Sequence, residues 1–410
     1  MCTQHASNKK KGLNSFALYT LAIVLGIFSG LSDISFLQNF GLLISDIFIK
    51  IFKCISLPLI ALSIIVTLCG YKSEDGMKAI WQRTLFYTLS TTVVAATISC
   101  VLYLLINPAN INLLGENTVA TPADNQVSYF QHITNLIPSN IFSPFLEHQV
   151  MGVLLVGVVT GIAIRSIQNT DAQKTLSNFF KGAHGLFMVI TTWIVAIIPL
   201  GLYGFITATV VQLREGMDIT GIGEYLAIIL LANLVQGFIV LPLWLKLNRI
   251  KPFVAMRGML PALSVAFFSK SSAGTLPVTM NAAENNLNIN PKISRFVLPL
   301  CTSINMNGCA AFIFTTVIFL MQNHGIEITL TTMGIWIIIS TIAAVGNAGV
   351  PMGCFFLSAS LLASMNIPIV LLGIILPFYN LIDMVETALN VWSDSCVAKV
   401  VNEKAILDQA

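Results

Sequence analysis

Eleven apolar runs constrain this chain more than any other feature. They fall near residues 15–32, 37–69, 84–106, 149–165, 183–212, 222–245, 259–280, 296–321, 331–348, 353–377 and 380–400. As a helix, a run of about 20 residues matches the hydrocarbon thickness of a bilayer, whereas barrel strands would alternate over about 10. Hydrophobic residues make up 56% of the 410 and charged residues only 10%; mean hydropathy is +0.83. No water-soluble domain of this size hides so much apolar surface, so the bilayer is the expected solvent and the fold class all-α. The net charge of +3 is spread through the connections. Without a basic stripe interleaved with aromatics, nucleic acid is excluded as a partner. The eight cysteines, among them Cys54, Cys69, Cys100, Cys301, Cys309 and Cys354, lack the paired spacing of a zinc site or a disulfide framework and read as small core hydrophobes.

Basic residues order the spans, because cytoplasmic loops retain positive charge. Lys9, Lys10 and Lys11 before the run from Phe16 to Leu31 would suit a signal peptide. Many further runs follow and no small-x-small cleavage site does, so the segment reads as a retained first span with its amino terminus inside. Lys72, Lys78 and Arg83, then Arg165, Lys174 and Lys181, mark two cytoplasmic connections; the polar 107–147 segment between them has no Lys or Arg and reads as a large external loop. Lys246, Arg249, Lys251 and Arg257 read as inside, and so do Lys292 and Arg295. The intervening segment must therefore cross an even number of times. Its small polar turn, Ser269-Lys270-Ser271-Ser272 to Pro277, suits a re-entrant hairpin, as does Gly346 to Gly353 further on. Two interrupted segments in successive positions point to a transport site at membrane depth. Lys399 and Lys404 put the carboxyl terminus inside.

Three intramembrane constellations carry chemistry. Asp383, Glu386, Thr387, Asn390 and Asp394 lie at i, i+3, i+4, i+7 and i+11, on one face of a helix. Each carboxylate at bilayer depth costs about 2.5–3.5 kcal/mol or more, so the stripe must meet cations, donors or protons unless it lines a wet vestibule. Thr302 to Cys309 sets amides and a glycine in an apolar span. It reads as an unwound helix offering carbonyls to a hard cation such as Na⁺, or as a kink bonded to neighbouring helices. The hairpin tips begin short helices whose free N–H groups bind carboxylates. Lys270 either reinforces this or snorkels to the cytoplasm.

The ordered set Ser-Ser-Ala-Gly-Thr-Leu-Pro-Val-Thr-Met (271–280), Asn-Met-Asn-Gly (305–308), Gly-Asn-Ala-Gly-Val-Pro (346–351) and Asp383, Glu-Thr-Ala-Leu-Asn (386–390), Asp394 resembles the dicarboxylate/amino acid:cation symporters, the glutamate-transporter homologues. The resemblance covers nearly the whole chain. It implies an all-α membrane protein of eight transmembrane helices plus two re-entrant helical hairpins, a homotrimer working as an elevator in lipid. It divides the chain into scaffold helices 1 and 2 (1–83), transport-domain helix 3 (84–106), external loop with scaffold helices 4 and 5 (107–220), a transport domain (221–402, hairpins near 255–288 and 328–366) and a cytoplasmic tail (403–410). It also implies a multi-pass protein of the bacterial inner membrane with both termini cytoplasmic.

By the same resemblance, the substrate site draws on Ser271, Ser272, Met306, Cys309, Asp383, Glu386, Thr387 and Asn390. Asp383 would hold the substrate ammonium, and Asn390 with the backbone near Ser272 the carboxylate. One sodium site would use Cys301, Asn305, Asn390 and Asp394, a second Ser303, Ala344, Val345 and Asn347, and a third Tyr87, Ser90, Thr91 and Asn305. Asn307 stands where the family has an aspartate, which puts that third site in question. No cofactor is implied beyond Na⁺ as coupling ion, with H⁺ as the alternative.

Glu386 stands where acidic-substrate members carry an arginine. A carboxylate facing a substrate carboxylate is repulsive by several kcal/mol at an effective dielectric of about 20. The expected substrate is thus a small neutral amino acid of the serine/threonine kind; the alternatives are a cationic amino acid paired with Glu386, or an acidic amino acid or dicarboxylate. A channel and a membrane enzyme are the readings from other classes. An enzyme would need Ser271 or Ser272 as nucleophile with His148 or His184 as base, yet neither a Gly-x-Ser-x-Gly elbow nor His-Glu-x-x-His occurs.

Overall fold

The computed structural model describes residues 18, 20–69, 78–111, 138–146, 150–214, 220–347, 352–365, 367 and 370–407, and every regular element among them is helical. The basic amino terminus, most of the expected external loop and the second hairpin's Ala348 to Pro351 lie outside the described residues. Helices α1 (Thr20–Leu31), α2 (Ser35–Cys69), α3 (Lys78–Ile106), a single turn α4 (Ser143–Leu146), α5 (Val150–Ser166) and α6 (Thr170–Arg214) form the first half. Apolar side chains cover the outside. Phe36, Leu105, Phe268 and Leu330 are each more than 70% exposed, which only a lipid or a partner surface accommodates. Four helical stretches, Ala79–Ile106, Gly221–Leu247, Pro252–Ser269 and Pro291–Asn323, are each long and apolar enough to cross a membrane, and α6 makes a fifth if its two limbs count as one span. Those limbs meet at 52°. Pro199, inside α6, removes a backbone donor where the rod bends.

The second half builds the site. Helix α7 (Thr220–Val235) runs through a π turn at Gln236–Val240 into α8 (Leu241–Leu247). The expected first hairpin is α9 (Pro252–Ser269) and α10 (Ser272–Asn286), packed on each other across a two-residue turn. Lys270 adopts the left-handed conformation at φ 54°, a place usually given to glycine because a Cβ there costs about 1–2 kcal/mol. Ser271 then caps α10, its Oγ accepting from Gly274 N at 3.0 Å. Helices α11 (Pro291–Ile304) and α12 (Asn307–Asn323) are one rod broken at Asn305 and Met306, whose ψ angles of 75° and 65° end one helix and start the next at membrane depth. Helices α13 (Leu330–Val345) and α14 (Gly353–Ser364) are the arms of the expected second hairpin. Met352, at φ 58°, repeats the left-handed entry seen at Lys270.

Helix α15 spans Val370–Leu407. The apolar run at 353–377 divides between α14 and the start of α15, and α15 takes in the expected 380–400 span. Helix α15 packs on α3, α6, α7, α9, α10, α11 and α12, so its polar face is enclosed from several directions. A buried apolar core joins α2, α3, α7, α12 and α14, and a second joins α8 to α11 with the end of α15.

Candidate functional site

The middle of α15 carries the polar stripe, and helical periodicity delivers it to one enclosed side: Asp383, Glu386, Thr387, Asn390 and Asp394 are all buried. A pocket with about 230 Å³ of empty space is lined by Ser272, Met306, Cys309, Asn347, Asp383, Glu386, Thr387 and Asn390, together with Lys270. Both hairpin tips converge on Asp383: Met352 and Lys270 lie close to its carboxylate, as does Thr387. The ammonium of Lys270 donates to Asn380 Oδ1, which turns the residue inward and sets aside the snorkelling alternative. Its strained backbone holds the cation beside the pocket.

Glu386 is the unusual member. It is 1% exposed and neither carboxylate oxygen has a hydrogen-bond partner; the Tyr379 hydroxyl beside it falls outside bonding geometry and is likewise unpaired. Gly308 lets α12 approach this point, since a Cβ there would sit 2.8 Å from Glu386 Cα. The Gly308 N–H, freed by the helix break, donates to Asn390 Oδ1 at 2.9 Å, leaving the Asn390 amide nitrogen 3.6 Å from Cys309 Sγ.

A second polar cluster lies next along α15. Asn305 Nδ2 donates to Asp394 Oδ1 (3.0 Å) and Ser393 Oγ (2.8 Å), while its Oδ1 accepts from Thr91 Oγ1 (3.1 Å) and Asn307 Nδ2 (3.0 Å). Thr302 Oγ1 donates to Asp394 Oδ2 at 3.4 Å. Gln236, on the π turn, donates to Thr91 O and Asn307 Oδ1, both at 3.1 Å. Cys301 is fully buried below the break, and its carbonyl accepts from Asn305 N.

The other expected ligands make local contacts. Ser271 is spent on its capping bond. Ser90 Oγ turns back to Phe86 O at 2.6 Å, and Tyr87 packs edge-on against Trp244. Ser303 Oγ lies 3.4 Å from Pro299 O. Ala344 O accepts from Asn347 N, and Val345 ends α13 just before it.

Sequence reasoning left Lys270 open between the pocket and the cytoplasm, and missed Gln236, Ser393 and Cys354. Gln236 had a signal, being an amide alone in an apolar span. The cysteine reading needs correction: Cys309 and Cys354, 45 residues apart, form a disulfide between the first turns of α12 and α14. Local spacing rules see only neighbours in sequence, and this pair is made by tertiary packing.

The family resemblance carried by the motifs has an independent counterpart. A family model described as the sodium:dicarboxylate symporter family matches residues 16–404. The chain belongs to that family. Members of the family are transporters, not enzymes, and this chain is a multi-pass membrane protein. It is 27% identical to a Caenorhabditis elegans protein named as a sodium-dependent excitatory amino acid transporter, over 97% of this chain and 90% of that one. It is 30% identical to neutral amino acid transporter A of Bos taurus, over 63% of this chain and 49% of that protein. With human neutral amino acid transporter B(0) it shares 26% identity, over 85% and 71% of the two chains.

Proposed function

We propose that this symporter couples Na⁺ entry to uptake of a small neutral amino acid of the serine/threonine kind. The observation that carries the reading is the composition of the closed pocket. Asp383 offers an anion to a substrate ammonium; the N-terminus of α10 at Ser272 and the Asn390 amide offer donors to the carboxylate. Where an acidic substrate would need a cation, Glu386 stands buried. Relatives named for both neutral and excitatory amino acids support an amino-acid cargo and leave its class to the pocket.

Na⁺ is the proposed coupling ion, held at the Asp394, Asn305 and Asn390 cluster and the carbonyls of the α11–α12 break. The Asn347 end of α13 and Ser303 are proposed for a second ion. A third ion at Thr91 and Asn305 would lack the charge that Asn307 removes. We assign α1, α2, α5 and α6 to a scaffold and the remaining long helices, with both re-entrant hairpins, to a moving transport domain. On this reading eight helices span a bacterial inner membrane with both termini cytoplasmic, and the assembly is a homotrimer working as an elevator.

The unpaired Glu386 oxygens favour one second reading, a cationic amino acid whose side chain pairs with them. A competition screen of the amino acids in sodium-driven and proton-driven proteoliposomes separates the two. Serine and threonine as the strongest competitors under a sodium gradient support the first reading, lysine or arginine the second. Aspartate as the strongest competitor would defeat both.

A further inference from the structure

The first reading leaves a group of side chains at the pocket's edge without a use. Cys309 Sγ, Cys354 Sγ and a Glu386 carboxylate oxygen lie within 4.8 Å of one another, all three residues buried. Both Glu386 oxygens are unpartnered, so a buried carboxyl group faces the two sulfurs with its bonding capacity unused. Asn347 Nδ2 lies 2.9 Å from Cys309 Sγ and 3.3 Å from Cys354 Sγ, while its Oδ1 is buried and unpartnered. We propose that the reduced Cys309–Cys354 pair and Glu386 form a binding site for a thiophilic divalent cation, Zn²⁺ or Cd²⁺, that fastens the second hairpin over the pocket.

Two thiolates and a carboxylate are the donor set of a zinc site, and the Asn347 amide, turned over, supplies an oxygen for a fourth position. Two thiolates, one carboxylate and a divalent ion sum to a single negative charge, and Lys270 lines the same pocket. The ligands come from the start of α12, the start of α14 and the middle of α15, so one ion would join three elements that the sequence separates. Because Cys309 and Glu386 also line the pocket, an ion held there excludes a solute.

The site requires the thiols. A phosphine opens the disulfide by taking oxygen from one water molecule, whose two hydrogens end on the two sulfurs. The cation then displaces those two protons to solvent.

The experiment is equilibrium dialysis of the purified full chain in detergent against Cd²⁺ alone, in four samples: wild type and Cys354→Ala, each oxidised and phosphine-reduced. The expected result is one additional bound Cd²⁺ per chain in reduced wild type only, with thiolate-to-cadmium absorbance that Cys354→Ala lacks. Equal binding by reduced wild type and reduced Cys354→Ala would place the metal elsewhere and overturn the proposal. Equal binding by oxidised and reduced wild type overturns it without recourse to any variant. Dialysis reads the metal alone, so its outcome stands apart from whether an amino acid is the cargo.

Discussion

Two stretches of the same helix, two turns apart, have opposite characters. Around Asp394 the partners are already in place: Asn305 and Thr302 hold its two oxygens, and Asn307, Ser393, Gln236 and Thr91 close a network of bonds around them. Around Glu386 the acceptors are buried and idle. A carboxylate whose two oxygens are held before anything binds has its geometry fixed in advance, as selection of a small hard ion demands. An unsatisfied carboxylate stores a desolvation cost that a ligand or proton relieves. The chain keeps rigidity at one point of α15 and open valence at another.

Four substitutions break or sharpen that contrast. Asp383→Asn removes the anion on which both hairpins converge; uptake should fall about 100-fold, as for truncating one member of a buried charge pair. Initial-rate measurements that retain near wild-type uptake would remove Asp383 from the pocket's function. Asp394→Asn exchanges an acceptor of two bonds for a neutral amide, and the sodium concentration for half-maximal uptake should rise about tenfold, the equivalent of one bond to a charged group. A sodium titration with an unmoved midpoint would sever the cluster from ion binding. Glu386→Arg puts a cation where the idle carboxylate stood, and aspartate should become a measurable competitor of uptake, which radiolabel competition reads directly. Ser271→Ala loses only a cap worth about 1 kcal/mol. It should lower the thermal midpoint slightly and change uptake least of the four, and a large loss of substrate affinity would bring Ser271 into the pocket after all.

Much of this was legible because helical geometry is local. The i, i+3, i+4, i+7, i+11 spacing on α15 required no partner to interpret, and the amide-glycine cluster at 305–308 announced a break that the backbone shows at Asn305 and Met306. The turn at Lys270 and Ser271 was legible for the same reason. What escaped the sequence was made by distant packing. The Cys309–Cys354 bond joins positions 45 residues apart, and the inward turn of Lys270 depends on Asn380, 110 residues away. Ser90 and Tyr87 were expected with Thr91: Tyr87 O receives the Thr91 hydroxyl at 2.9 Å, while Ser90 Oγ bonds Phe86 O. The bend of α6 and the full length of α15 depend on backbone events within apolar sequence, where hydropathy is silent.

The π turn at Gln236–Val240 gives one rod two allegiances. A single inserted residue advances the angular phase of everything after it by about 100°. Ahead of the turn, Ile222, Tyr225, Ile228 and Ile229 belong to one apolar core; beyond it, Leu241 and Leu245 belong to the other. The widened coil also leaves Gly237 O to receive the Trp392 indole at 3.1 Å. Deleting one residue there would restore a regular winding and swing the downstream stripe off its neighbours, unfastening the two halves of the interior from each other while every remaining side chain stayed the same.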